Sequence, residues 1–334
     1  MTGLLRTTAT RITGVIVAIA LVLLALYASV VFGVINTGWR TAVDAFMHFN
    51  GSNEHIVIKD VRIPRAFIAA AVGASLGIAG ALLQALTRNP LADTGLMGLN
   101  AGAGLAIVVA VTFMSVGSLS QFAWVAFIGA AFSGAIVFAL GSAGREGLSP
   151  MRVTLAGAAV TALASSMTHA FLVINQKTMD EVLFWLAGSV AGRKLSILTD
   201  LLPYMVVAWI AAFVLAGPIN TLLLGEDVAK GLGQRTVLVK AMTGLVIVLL
   251  AGASVAVAGP IGFVGLVVPH LARSLIGQDV RWVVLYSGLL GAILLLAADI
   301  GARYVAMPKE IPIGVMTAII GTPFFVYVAR KGGK

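Results

Sequence analysis

The chain of 334 residues is 60% hydrophobic and only 10% charged, against about 25% charged in a soluble domain, which leaves too little polar surface to coat a soluble globule. Its net charge of +9 fits basic loops between long apolar runs better than a nucleic-acid surface. The absence of cysteine excludes disulfides, thiolate metal sites and cysteine nucleophiles.

A helix needs about 20 apolar residues to cross about 30 Å of hydrocarbon. In chain order the uncharged windows are Ile12–Trp39, Ala66–Thr87, Thr94–Gly144, Val153–Gln176, Leu201–Gly225, Ala241–Ala272, Trp282–Ala298 and Ile311–Ala329. The first follows Arg6 and Arg11. It exceeds the ~7–15-residue core of a signal peptide, so an uncleaved span with its basic end in the cytoplasm is expected. The polar stretch Ser115–Gln121 divides the third window and Gly259-Pro260 the sixth, which predicts ten spans. The fold class is therefore an all-α polytopic membrane protein of about ten transmembrane helices, with both termini cytoplasmic. Residues 1–334 form a single transmembrane domain in the cytoplasmic membrane.

The window Val182–Gly192, between Glu181 and Arg193, is too short to cross and is expected to form an interfacial helix outside. The segment Asn36–Ile63 has room for a short helix or two. In this orientation the inner loops hold the larger share of the 22 Lys and Arg residues. The outer share, including Arg62, Arg65 and Arg303, breaks that trend and asks for its own explanation. Pro64, between Arg62 and Arg65, is pre-organised for a helix start. Pro90, Pro150, Pro218 and Pro308 fall at loops, where a missing N–H costs little. Pro269 lies inside a short span and predicts a kink or a shortened helix. Gly73-x-x-x-Gly77 and Gly98-x-x-x-Gly102 suit close helix packing.

No G-x-x-x-x-G-K-[ST] sequence is present. If ATP drives this protein, a partner hydrolyses it. No H-E-x-x-H occurs, and His48, His55, His169 and His270 are scattered, so no metal site is predicted. Asp200 and Asp299 fall near outer helix ends, and Asp299 can pair with Arg303 one helical turn away. No window carries a carboxylate near its middle, where a proton-coupled carrier would use one. No nucleophile and base are paired within membrane reach, which disfavours an intramembrane enzyme.

The cytoplasmic segment Leu222–Lys240 is more informative. Leu224, Val228 and Leu232 recur every four residues and mark one apolar stripe. Glu226 and Asp227 favour the helix dipole in the first turn, and Gly231 and Gly233 can end the helix. Such a helix either lies on lipid or inserts into a partner's groove, and its acidic start disfavours anionic lipid.

These residues resemble a known family. Arg62-Ile63-Pro64-Arg65 through Gln84, Asn89-Pro90-Leu91-Ala92, Gly95–Gly104, Leu224–Gly233, Ala258–Arg273 (AGPIGFVGLVVPHLAR), Ala297–Arg303 (AADIGAR) and Glu310–Phe324 (EIPIGVMTAIIGTPF) are similar to permease subunits of ATP-binding-cassette (ABC) importers for iron–siderophore chelates, haem and cobalamin. The resemblance spans about residues 10 to 330. It implies a second permease subunit, identical or related, two cytoplasmic ATPase subunits and an extracytoplasmic substrate-binding protein. It implies no cofactor and no nucleic acid. By resemblance, Arg62, Arg65 and Arg303 meet acidic residues of the binding protein. Leu224, Gly225, Glu226, Asp227, Val228, Ala229, Gly231, Leu232 and Gly233, within a coupling region 222–234, seat on the ATPase. Asn89 and Leu91 fall in the cytoplasmic gate, with Ser149 near its other segment. The fifth and tenth spans line most of the path. Iron–siderophore chelate is the expected cargo, with haem or cobalamin the alternative and a secondary transporter the remote one.

Overall fold

The computed structural model describes residues 3–33, 38–114, 116–143 and 149–332. Every regular element among them is helical. The chain begins with α1 (Thr8–Val31), α2 (Trp39–Met47) and α3 (Asn53–Ile56), whose last turn widens into a π-helical run, Val57–Arg62, and continues as α4 (Ile63–Thr87). A 3-10 turn, Thr94–Met97, leads to α5 (Leu99–Met114), α6 (Leu119–Ser142), α7 (Pro150–Ile174) and α8 (Gln176–Leu186). Next come α9 (Leu195–Leu223), α10 (Glu226–Gly231), α11 (Thr236–Ala258), α12 (Val264–Ile276), α13 (Val280–Tyr304) and α14 (Ile313–Gly332). Seven stretches are long and apolar enough to cross a membrane: α1, Asn53–Thr87, α6, α7, α9, α11 and α13. Leu99–Met114, Val264–Ile276 and Ile313–Val328 are shorter apolar helices.

The centre of the bundle is α4, whose apolar window is 83% buried, against 11% for the peripheral α1. It packs on α13, α11, α12 and α9, while α5, α6 and α7 form a second group joined to the first through α11. Glycines permit this closeness. A Cβ on Gly73 would overlap the Gly291 carbonyl of α13, and one on Gly80 would overlap Gly265 of α12. Gly102 meets Ser133 and Gly129 of α6 in the same way. Small residues let helices in lipid gain dispersion contacts where no hydrophobic drive separates them from the acyl chains.

Pro64 stands in the first turn of α4, as expected, although α4 continues without a gap from the helical residues before it. A proline lacks its N–H and its ring crowds the carbonyl four residues back; the π-helical run just before it opens the turn and relieves that crowding. Two expectations change. Pro218 lies within α9, near its end, and its carbonyl, in the last turn, accepts from Gln234 Nε2 at 2.8 Å. The short helix expected at Val182–Gly192 runs Gln176–Leu186, ahead of that window. Its Val182 and Trp185 are buried against the bundle, so it is a packed cap more than a surface float. The break in the third window falls between α5 and α6; Ser115, which opens the polar stretch there, and Asn36, Gly144 and Arg145 lie outside the described residues. Pro269 does lie inside the 13-residue α12.

Candidate functional site

At one end of the bundle the structure brings Arg62, Arg65 and Arg303 together with Asp299 and Glu310. Arg62 Nη1 donates to the Val30 and Val31 carbonyls at 3.0 and 2.8 Å. Arg303 Nη1 donates to the Ser29 and Phe32 carbonyls, both at 2.6 Å. These are the orphan carbonyls at the end of α1, where helix geometry and dipole both favour a cation. Arg303 Nη2 also reaches Asp299 Oδ2 at 2.5 Å, the pairing expected one turn apart. Arg65 Nε meets Asp299 Oδ1 at 2.8 Å, and its Nη1 meets Glu310 Oε2 at 2.6 Å. All three arginines are under 9% exposed, and Asp299 is fully buried. Glu310 is the member of this network that water reaches, with a third of its side chain accessible. Three guanidiniums against two carboxylates leave a positive excess. Glu310 also lines an outer cleft of about 440 Å³ with Arg193, Phe184 and Pro312. Burial there draws Arg193 down to about 10, and its Nε donates to the Ser189 carbonyl at 3.2 Å.

At the opposite end, α9 stops where Gly225 adopts φ +128°, a conformation that side-chained residues avoid. The next helix is only Glu226–Gly231, so Leu224 lies outside it as the last residue of the preceding turn. The stripe nonetheless faces solvent: Leu224 is 70% exposed, Val228 50% and Leu232 70%. Ala229 is buried on the inner side, Asp227 is exposed, and Gly231 and Gly233 close the turn, the latter at φ +79°. Glu226 anchors the loop through Lys240 Nζ at 2.6 Å, with Lys230 Nζ at 3.4 Å. The Lys240 hydrogen bond holds the Glu226 carboxyl below its ordinary range.

Ser149, Arg88, Glu226 and Lys240 line one cleft of about 350 Å³. The gate candidate Ser149 and the coupling candidate Glu226 therefore share a wall. Arg88, left-handed at φ 51°, ends α4, and its Nη2 donates to the Leu222 carbonyl of α9 at 2.8 Å. Asn89 Oδ1 accepts from Leu91 N–H at 2.9 Å, fixing the turn. Asn89 and Leu91 do not line that cleft.

Sequence reasoning missed the role of Asp93, just beyond that turn. The chain folds back, and Asp93 Oδ2 accepts from the Phe263 N–H at 3.2 Å, at the start of α12. Gln84 Nε2 donates to the Ala92 and Gly265 carbonyls at 3.2 and 3.0 Å, and Gln84 Oε1 accepts from Arg273. Phe263 is itself left-handed at φ 68°, and its ring abuts Gly321 of α14. A buried carboxylate thus joins the turn after α4 to the loop between α11 and α12. The charge-free windows hid it, because Asp93 stands just outside one of them.

An all-helical apolar bundle that offers an exposed apolar tip and carries no nucleotide-binding motif has the build of a transporter's membrane subunit. The chain belongs to the FecCD transport family, which matches residues 21–331. It is 55% identical over 316 residues to "Probable siderophore transport system permease protein YfiZ" of Bacillus subtilis (strain 168), covering 95% of both chains. It is 46% identical over 284 residues to the Fe(3+)-citrate import system permease protein YfmD of the same organism, covering 85% of this chain and 84% of that one. Its fold matches a solved inward-facing metal-chelate type ABC transporter with a TM-score of 0.82 and 26% identity, over 96% of this chain and 99% of that one. The protein is a multi-pass membrane permease of an ABC importer, a transporter component and not an enzyme.

Proposed function

We propose that this chain moves ferric siderophore chelates inward across the cytoplasmic membrane, using ATP hydrolysed by partner subunits. The observation that carries it is the 55% identity, end to end, to a siderophore-system permease. The seven long and three shorter apolar helices support ten spans; an even number puts both termini on one side, which the basic loops assign to the cytoplasm. Residues 1–334 act as one permease domain beside a second permease subunit, identical or homologous. Two ATPases receive the exposed tip of region 222–234, and Leu224, Val228 and Leu232 insert into a groove there. Arg88 links that region to the end of α4, and through it to the gate at Asn89, Leu91 and Ser149.

The substrate-binding protein docks outside, on the positive excess of Arg62, Arg65 and Arg303. Because these arginines are buried, its acids compete with Glu310 for Arg65 more than they meet free guanidiniums. Such pairing gives orientation and encounter rate more than raw affinity. The test is ATP hydrolysis by the reconstituted complex with its binding protein loaded in turn with a ferric siderophore, ferric citrate, haem or cobalamin. A ferric siderophore should stimulate hydrolysis most. Stimulation by haem or cobalamin alone would reject the cargo assignment.

A further inference from the structure

The ends of α4, α9 and α12 and the start of α13 enclose a cleft of about 310 Å³. Gln84 and Arg88 of α4, Arg273 of α12 and Gln278 of the turn before α13 line it. Among the described residues no carboxylate stands on its walls. Arg88 is exposed, and its side chain is engaged only through Nη2, on the Leu222 carbonyl. Arg273 is half-buried, and its Nη2 donates to Gln84 Oε1, an amide oxygen that cancels no charge. The other N–H groups of Arg273 meet no acceptor among the described residues and are open to water. Two neighbouring acids are engaged elsewhere, Asp93 on the Phe263 N–H and Asp279 on Asn220 Nδ2 at 2.7 Å. Two guanidiniums thus share the cleft with no anion, and a half-buried cation is costly until one pairs with it.

The depth of the cleft follows from its neighbours. Trp282, in the first turn of α13, has the Arg11 guanidinium over its ring, 5.8 Å from the centroid. Tryptophan and long basic side chains gather at the membrane–water boundary. On α9, Val207, Ile210 and Val214 are exposed at helical spacing, as lipid contact requires. The same face continues to Gly217, where an added Cβ would stand 3.1 Å from Arg281 Nη2. Arg281 is exposed, and its side chain bonds to no described residue. A third guanidinium therefore lies where the lipid-facing side of α9 meets the start of α13.

We propose that this cleft is a headgroup site for an anionic phospholipid of the inner leaflet. It rests on the orientation given above, which puts these helix ends at the cytoplasmic side, and not on the cargo. The phosphate diester lies between Arg88 and Arg273, whose planar forks suit phosphate oxygens. Gln278, which is exposed, adds a neutral donor. Ala81, Leu223 and Val283 form apolar walls for the glycerol and the first methylenes. Basic pockets between membrane helices on the cytoplasmic side favour such headgroups. An acidic side chain of the ATPase has the same charge, but it needs neither apolar walls nor a lipid-facing edge beside it.

The test holds the full complex of permeases and ATPases in nanodiscs of phosphatidylcholine and phosphatidylglycerol in equal parts. Native mass spectrometry counts the lipids that stay bound when the disc is stripped. The unaltered complex should retain phosphatidylglycerol at least fivefold over phosphatidylcholine. Losing one charge-assisted contact costs about tenfold in affinity, so Arg273→Gln should lower that retention at least fivefold. Arg273→Lys, which keeps the charge, should preserve most of it. Gln278→Glu places a carboxylate in the cleft at an exposed position and leaves the Arg273–Gln84 bond alone; it should lower retention as far as Arg273→Gln. Arg6→Gln, exposed at the same side and outside the cleft, should change it less than twofold.

Equal retention of the two lipids, or retention unmoved by Gln278→Glu, overturns the proposal. An equal loss in Arg6→Gln reduces the effect to general surface charge and also overturns it. Displacement of the lipid by inorganic phosphate assigns the cleft to a free anion instead. Retention by the permease pair alone that vanishes when the ATPases bind gives the arginines to an ATPase carboxylate, which likewise rejects the lipid site. Retention is read without regard to leaflet, cargo or uptake, so failure here leaves the function and orientation readings intact.

Discussion

Asp299 is the keystone of the outer network, and Asp299→Ala is its sharpest perturbation. The carboxylate is fully buried and holds Arg65 at 2.8 Å and Arg303 at 2.5 Å, whose side chains are 8% and 2% exposed. Solvent screening is therefore minimal. Removing one partner of a buried pair leaves an uncompensated charge and costs about 3–5 kcal/mol. Arg303 keeps the Ser29 and Phe32 carbonyls, and Arg65 keeps Glu310, so the lower end is expected. At about 2 °C per kcal/mol for a chain of this size, thermal unfolding should begin about 6 °C lower. The assay is circular dichroism of the purified subunit in detergent. Asp299→Leu combined with Arg303→Met should recover at least half of the loss, since an apolar pair needs no compensation. Unfolding of Asp299→Ala within 1 °C of the unaltered protein, in place of the ~6 °C drop this scale predicts, would refute the buried-pair reasoning.

Gly73→Leu should cost at least about 1–3 kcal/mol, because its side chain meets the Gly291 backbone and the two central helices must part; detergent thermal stability reads this. Leu224→Asp with Leu232→Asp should release or uncouple the ATPase without lowering that stability, since both side chains are exposed; normal co-purification with full transport-coupled hydrolysis counts against the coupling assignment. Glu310→Gln should loosen the Nη1 end of Arg65, whose Nε stays on Asp299, and speed salt-sensitive association of the binding protein, as measured by surface plasmon resonance at two ionic strengths. Unchanged kinetics would remove Arg65 from docking. The Glu226 carboxyl, held low by Lys240, stabilises the coupling loop above its unfolded pKa of about 4.3 and loses that effect only as pH falls through its lower folded value. Loop protection in hydrogen exchange should therefore hold from about pH 8 to 5.

The apolar helices and most of their boundaries were legible, because a charge in hydrocarbon is costly and so punctuates the sequence. The close glycine contacts of α4 were legible for the same kind of reason: small residues at helical spacing have few other uses in a span. Burial of the outer arginines was not. Sequence shows a charge out of place but cannot show that the open carbonyls of α1 will surround it. Pro64 marked the first turn of α4, as proline's fixed φ favours, but the π-helical run before it has no sequence signature. Asp93 looked like a loop residue; only the fold-back after Asn89 carries it to α12. The stripe of Leu224, Val228 and Leu232 is exposed and apolar as its spacing implies, although Gly225 breaks the helix that the same spacing suggests.

The central claim is that this chain is a conduit and coupler whose energy comes from ATP hydrolysed elsewhere. The most direct test is uptake of an iron-labelled siderophore into proteoliposomes holding the permease pair and its ATPases, with binding protein outside and ATP inside. Uptake should require ATP and persist when a protonophore collapses the proton gradient. Uptake that continues without ATP and stops with the protonophore would contradict the account.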